Sequence, residues 1–141
     1  MKTRDFQIVD GLEKMDFREV TRMLSNARWS RGIGEDEVRK GAENSVLTVG
    51  AFCGGRQVGY LRVISDRVRF AYLSDVYVDE GFRGNGIALA MVNRALSHES
   101  LKGVYQWLLR SSADELYRKA GFAPVSEPER WMEIRKERPG R

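Results

Sequence analysis

Apolar positions along this chain change their spacing several times, and each change marks an element. Phe6-Gln7-Ile8-Val9 alternates at the two-residue period of a half-buried strand. Phe17, Val20, Leu24 and Ala27 then recur at helical spacing. Asp16 and Glu19 stand ahead of them as a capping box, in which Asp16 accepts from the first turn and Glu19 reaches back. Arg28-Trp29-Ser30-Arg31-Gly32-Ile33-Gly34 breaks that helix, and residues 35–40 resume it. Residues 46–53 and 57–64 read as strands joined by Gly54-Gly55, a connection suited to a type I′ hairpin. Ser65-Asp66-Arg67 turns the chain into a further strand over 68–78, completing an antiparallel meander. Ile87, Met91 and Leu96 mark the next helix, and residues 104–109 another strand. A strand, helix and strand in this order predict parallel pairing through a right-handed crossover. Ser112-Ala113-Asp114-Glu115 is a second capping box, opening a short helix that Gly121 closes. Trp131-Met132-Glu133-Ile134 reads as the last strand. With no internal repeat, low-complexity tract or linker, residues 1–141 are expected to form one mixed α/β domain.

The junction between the meander and the central helix is glycine-rich: Arg83, Gly84, Asn85, Gly86, Ile87 and Ala88 lie where the helix starts. Backbone N–H groups there have no intrahelical partner, and the macrodipole favours negative charge. Glycines let a phosphate approach the main chain closely. A dinucleotide fingerprint would need a third glycine where Leu89 stands. A P-loop would need Lys and Ser/Thr where Ile87 and Ala88 stand.

What fits is the pattern Arg/Gln-x-x-Gly-x-Gly/Ala, met by Arg83, Gly86 and Ala88. Here the chain resembles the GNAT superfamily of N-acetyltransferases, in which this loop binds the pyrophosphate of acetyl-coenzyme A. Leu116-Tyr117-Arg118-Lys119-Ala120-Gly121-Phe122 is similar to that family's Leu-Tyr-x-x-x-Gly-Phe element, in the expected order. The resemblance covers roughly residues 45–125. It implies a mixed α/β (α+β) fold with a mostly antiparallel sheet of about six to seven strands, a splay between two parallel strands, and flanking helices. The pantetheine arm is then expected to lie in that splay.

Composition removes other classes. Hydrophobic content of 42% and charged content of 31% over 141 residues are those of a globular domain with one core. No apolar run is long enough to span a bilayer, and the N-terminus lacks a signal-peptide core. Cys53 has no cysteine to pair with, which points to the cytoplasm. One cysteine and one histidine, His98, argue against a zinc site. Of the net charge of +4, residues 135–141 carry most, in a segment that reads as a frayed tail. The body is nearly neutral, which weakens a nucleic-acid role; such a role would rest on the tail alone.

An amine attacking a thioester needs a neutral nucleophile, a stabilised oxyanion and a proton for the departing thiolate. The resemblance implies direct transfer in a ternary complex, with no metal and no acyl-enzyme. Main-chain N–H groups at Val76, Tyr77 and Val78 would polarise the thioester and hold pantetheine. Tyr117 matches the family tyrosine that protonates, or hydrogen-bonds to, the sulfur; packing at a helix–strand contact is the alternative. Asp75 is either a base, directly or through water, or a ligand of backbone N–H groups at the strand break. Glu80 and Asp114 read as solvated or helix-start carboxylates. Arg110 stands where many relatives have an asparagine that holds the coenzyme, and Ser111 or Ser112 is the candidate replacement. Trp29, Arg31, Tyr72 and Trp107 are candidate acceptor contacts, with core packing as the other reading of the aromatics. Cys53 reads as a buried strand residue, and His98 as solvated. The acceptor is an amine on a small molecule or peptide, and a homodimer is implied by resemblance only. The rival reading is a catalytically weak acyl-coenzyme A-binding module that regulates a partner.

Overall fold

Gly54 and Gly55 both take positive φ, +55° and +83°, and turn the chain so that Cys53 pairs with Arg56. This is the I′ geometry that suits the right-handed twist of two flanking strands. The computed structural model describes residues 5–138. Five strands lie side by side in the sheet in sequence order: β1 (Gln7–Asp10), β2 (Leu47–Cys53), β3 (Arg56–Ser65), β4 (Phe70–Val78) and β5 (Gln106–Leu108). The first three junctions are antiparallel, and β5 runs parallel to β4 after the crossover helix.

Both faces of the sheet are covered, which is why β3 is apolar on both sides: Tyr60, Leu61 and Val63 are fully buried. One face meets α1 (Phe17–Ser25) and α2 (Glu35–Glu43) through Phe17, Val20, Met23, Leu24, Val38 and Ala42, with Tyr60 from the sheet. The other meets α3 (Ile87–Leu96) and α4 (Asp114–Lys119) through Ile87, Met91, Val92, Ala95 and Tyr117. Among the described residues no helix is long and apolar enough to cross a membrane.

Several expectations need correction. Among the described residues the sheet has five strands rather than six to seven. Residues 131–134 form no strand. They leave a 3-10 turn at Pro128–Arg130 without a ladder partner, and Met132 and Ile134 are 94% and 91% exposed. Asp16 does cap α1, accepting from the N–H groups of Arg18 and Glu19. Glu19 does not reach back, because the Asp16 N–H is taken by Gln57 Oε1 at 2.7 Å while Glu19 holds Arg22 at 2.7 Å. Nor does Ser112 cap α4. The N-cap is Ala113, whose N–H donates to Ser111 Oγ at 2.9 Å. His98 is half-buried and caps the 3-10 turn Glu99–Leu101, its Nδ1 accepting from the Ser100 N–H. Arg135, assigned to the tail, lines a cavity instead, and residues 139–141 lie outside the described residues.

Gln57 is buried yet polar. Its Oε1 accepts from Asp16 and its Nε2 donates to the Gly59 carbonyl at 2.9 Å, so it locks the start of α1 to β3. Gly50 makes room for it: a Cβ there would sit 2.7 Å from Gln57 Nε2 and 3.1 Å from Met15. Gly50→Ala is therefore expected to cost about 2 kcal/mol through overpacking and displacement of a buried amide. A urea midpoint unchanged from wild type would contradict this.

Candidate active site

The alternation of β4 breaks once. Ala71 and Leu73 face the α3/α4 core, and so do Val76 and Val78, so one extra residue has entered between Leu73 and Val76. That residue is Asp75, at φ +57°, opposite the register shift between Tyr60 and Arg62 of β3. An αL residue in a bulge bends the strand and re-aims the residues after it; aspartate tolerates that conformation better than most. At the same level β5 stops. Its ladder with β4 ends at Tyr72 and Leu108, leaving residues 73–78 with no partner on that side. The Asp79 N–H donates to Val58 O of β3 at 2.8 Å. By strand alternation the Val76 and Val78 N–H groups point the other way, into the gap. The Val78 carbonyl agrees, accepting from Arg83 Nε at 2.8 Å on the open side.

Asp75 is clamped. Its Oδ2 accepts from Arg62 Nε at 2.7 Å and its Oδ1 from Trp29 Nε1 at 3.0 Å. Arg62 Nη1 donates on to Ser45 Oγ and the Gly41 carbonyl, at 3.2 and 3.4 Å. The bulge is thus tied to the turn after α1 and to the end of α2. Trp29 also meets Tyr77 edge-on at 6.4 Å. Beneath them Tyr60 is fully buried, and burial with the Asp75 charge raises its phenol well above the ordinary range, so it stays protonated.

A cavity of about 660 Å³ fills the gap between the parted strands. Arg28, Trp29 and Asp75 line it from the α1/α2 side, and Ser112 and Tyr117 from the α4 side, with Tyr72 between. Only 8% of Tyr117 is exposed; it packs edge-on against Phe122 at 5.9 Å, and burial raises its phenol above the usual value of 10. A second cavity of about 900 Å³ shares Tyr72 and Tyr117 and adds Trp107 and Trp131.

Below Val78 the chain makes a 3-10 turn, Glu80–Phe82, and enters α3 through Gly84 and Gly86 at φ +82° and +79°. Gly86 is the N-cap, and no side chain accepts from the first turn. A Cβ at either glycine would meet no protein atom within 4 Å. This uncapped, open helix start fits a phosphate group. The Arg83 side chain is turned back onto Val78 and over the Tyr77 ring at 5.2 Å, so the main chain is what faces outward. Asn85 Nδ2 braces the turn through the Phe82 carbonyl.

Of the residues singled out in the sequence, Tyr117, Asp75, Val76, Ser112, Trp29 and Tyr72 meet at one cavity. Trp107 faces only the second, and Arg31 is exposed and lines neither. Sequence reasoning missed Arg62, Arg28 and Arg135. Arg62 left a signal, as the one charge inside the apolar run from Val58 to Ile64.

Residues 44–124 match the family model described as acetyltransferase (GNAT) domain. Solved structures agree in fold. A protein of Xanthomonas campestris pv. campestris, assigned to GNAT acetyltransferases, is 32% identical over 96% of both chains, with a TM-score of 0.87. A GNAT-family protein of Streptococcus pneumoniae is 20% identical over 95% of this chain and 99% of its own, at 0.74. A protein of Staphylococcus aureus described as a probable acetyltransferase is 21% identical over 94% and 100%, at 0.76. No curated protein matches the sequence significantly.

The clamp has a measurable consequence. The Arg62 and Asp75 side chains are 21% and 15% exposed, so Asp75→Asn leaves a half-buried guanidinium facing a neutral amide. Stability should fall by about 2 kcal/mol, and a double-mutant cycle with Arg62→Met should recover a coupling of about 1 kcal/mol. Strict additivity of the two losses would show that the pair does not hold the bulge.

Proposed function

The chain belongs to the GNAT acetyltransferase family, and from that premise we propose that it moves the acetyl group of acetyl-coenzyme A to a primary amine by direct attack in a ternary complex. The observation that carries this reading is the unpaired side of β4, which has an open helix start at one end and a buried tyrosine across the gap. The main chain from Gly84 to Ala88 binds the pyrophosphate. The Val76 and Val78 N–H groups hold the pantetheine amide and polarise the thioester carbonyl where negative charge develops. The neutral amine attacks the carbonyl carbon, the C–N bond forms, and collapse breaks the C–S bond. Tyr117, protonated throughout the neutral range, gives its proton to the departing thiolate or hydrogen-bonds to it. Asp75 has both oxygens engaged by Arg62 and Trp29. It acts as the positioning residue that sets the bulge, and solvent takes up the amine's proton.

Two measurements test this. Calorimetric titration with acetyl-coenzyme A should saturate in the wild type and fail in Gly86→Glu, which puts bulk and negative charge at the helix start. Absence of binding by folded wild-type protein would overturn the reading. Saturable binding with no thiol release on any amine would instead favour a regulatory acyl-coenzyme A-binding module.

Tyr117→Phe keeps the ring packing and removes the acid, so kcat should fall roughly a hundredfold with little change in KM for acetyl-coenzyme A. Because burial raises the Tyr117 pKa, its proton is lost only as pH rises past the raised value. The alkaline fall in kcat due to this group should therefore lie above pH 10, the unperturbed phenol value. A fall centred near neutrality that disappears in Tyr117→Phe would contradict the assignment.

A further inference from the structure

The charged side chains lining the gap cavity are Arg28, Arg110, Arg135 and Asp75. Two of them are already matched: Asp75 by Arg62 at 2.7 Å, and Arg135 by Glu133 at 3.2 Å. Among the described residues Arg28 and Arg110 make no hydrogen bond or ion pair. Both are exposed, and they come from separate elements. Arg28 stands in the 3-10 turn Arg28–Ser30 after α1, and Arg110 stands just past the end of β5. We propose that the acceptor is an amine that also carries a carboxylate, and that Arg28 and Arg110 hold that carboxylate. This rests on the acetyl-transfer reading and narrows its substrate class.

The charge balance argues for it in two ways. A polyamine or aminoglycoside would bring several positive charges into a cavity with two unmatched guanidinium groups and, among the described residues that line it, no free carboxylate to receive them. Like charges disfavour such binding, whereas a carboxylate would be met by charge-assisted hydrogen bonds in the planar geometry that guanidinium groups favour. The same field acts on the nucleophile. Nearby cations lower the pKa of a bound amine, so a larger share is neutral and able to attack. The carboxylate cancels part of that field, so the arginines act first on recognition and only through their remaining charge on the amine. None of residues 83–88 lines this cavity, but Arg110 stands where the resemblance places a coenzyme-holding asparagine, so the coenzyme is the competing occupant that the variants below separate.

The test compares the common amino acids with their carboxamides and with spermidine, by thiol release from acetyl-coenzyme A. Acids should exceed the matching amides by about tenfold or more in kcat/KM, and the gap should shrink as salt is raised. In Arg28→Gln and Arg110→Gln the acid-to-amide ratio should collapse toward one. Amides or spermidine acetylated as well as the acids would overturn the proposal and leave the transfer reading standing. So would variants that lose affinity for coenzyme A but keep the acid preference, since the arginines would then serve the nucleotide.

A second arm needs no turnover: calorimetry of N-acetyl amino acids and their amides with coenzyme A present. Binding of the acids alone supports the proposal, and equal or absent binding of both overturns it. The parallel titration with acetyl-coenzyme A then tells whether the transfer reading falls as well.

Discussion

Phe70, Ala71 and Tyr72 of β4 pair with β5, and residues 73–78 do not, although β4 keeps its ladder with β3 as far as Val78. A row of main-chain donors with no partner inside the sheet is costly unless something else receives them. The termination of this one ladder therefore makes the opening, decides which atoms line it, and leaves those atoms available to a ligand. It also lets the cavity pass through the sheet. Tyr117 approaches from the α3/α4 layer and Trp29 from the α1/α2 layer, so the cavity is lined from both faces of the sheet.

The parting strands need a device that keeps β4 in register while its edge is open. The bulge supplies it. Inserting Asp75 lets Val76 and Val78 return to the same core as Leu73, so the gap costs no core residue. Asp75 is also the residue whose carboxylate receives both Arg62 and Trp29. A strained backbone position is thereby over-determined by three elements packed around it.

Much of this was legible in the sequence because it rested on local rules. The hairpin glycines, the Asp16 cap, the α3 start and the order of strands all come from short-range geometry. What escaped depended on contacts across the chain. Glu19 satisfies the capping-box pattern, yet a buried glutamine from β3 took its place. Trp131 to Ile134 has strand composition, but a strand exists only where an edge accepts it. The role of Asp75 was open between base and backbone ligand, because its partners Arg62 and Trp29 lie 13 and 46 residues away. The step in β4 from odd to even apolar positions across Ser74-Asp75 was written in the sequence as a break in alternation, and it is the mark of the bulge.

On the proposed reading, acetyl transfer in the gap has no dedicated base. Among the described residues the one carboxylate lining the cavity is occupied in holding the bulge, and Tyr60 and Tyr117 both keep their protons. On that reading the gap offers the nucleophile a positive field rather than an acceptor for its proton. Such a field helps a cationic amine only if something else draws it in. The proposed carboxylate on the acceptor would supply that attraction and cancel much of the field, so the guanidinium pair acts chiefly on recognition. Substituting either arginine is therefore expected to act on acceptor binding, so that kcat/KM for the acid falls mainly through KM.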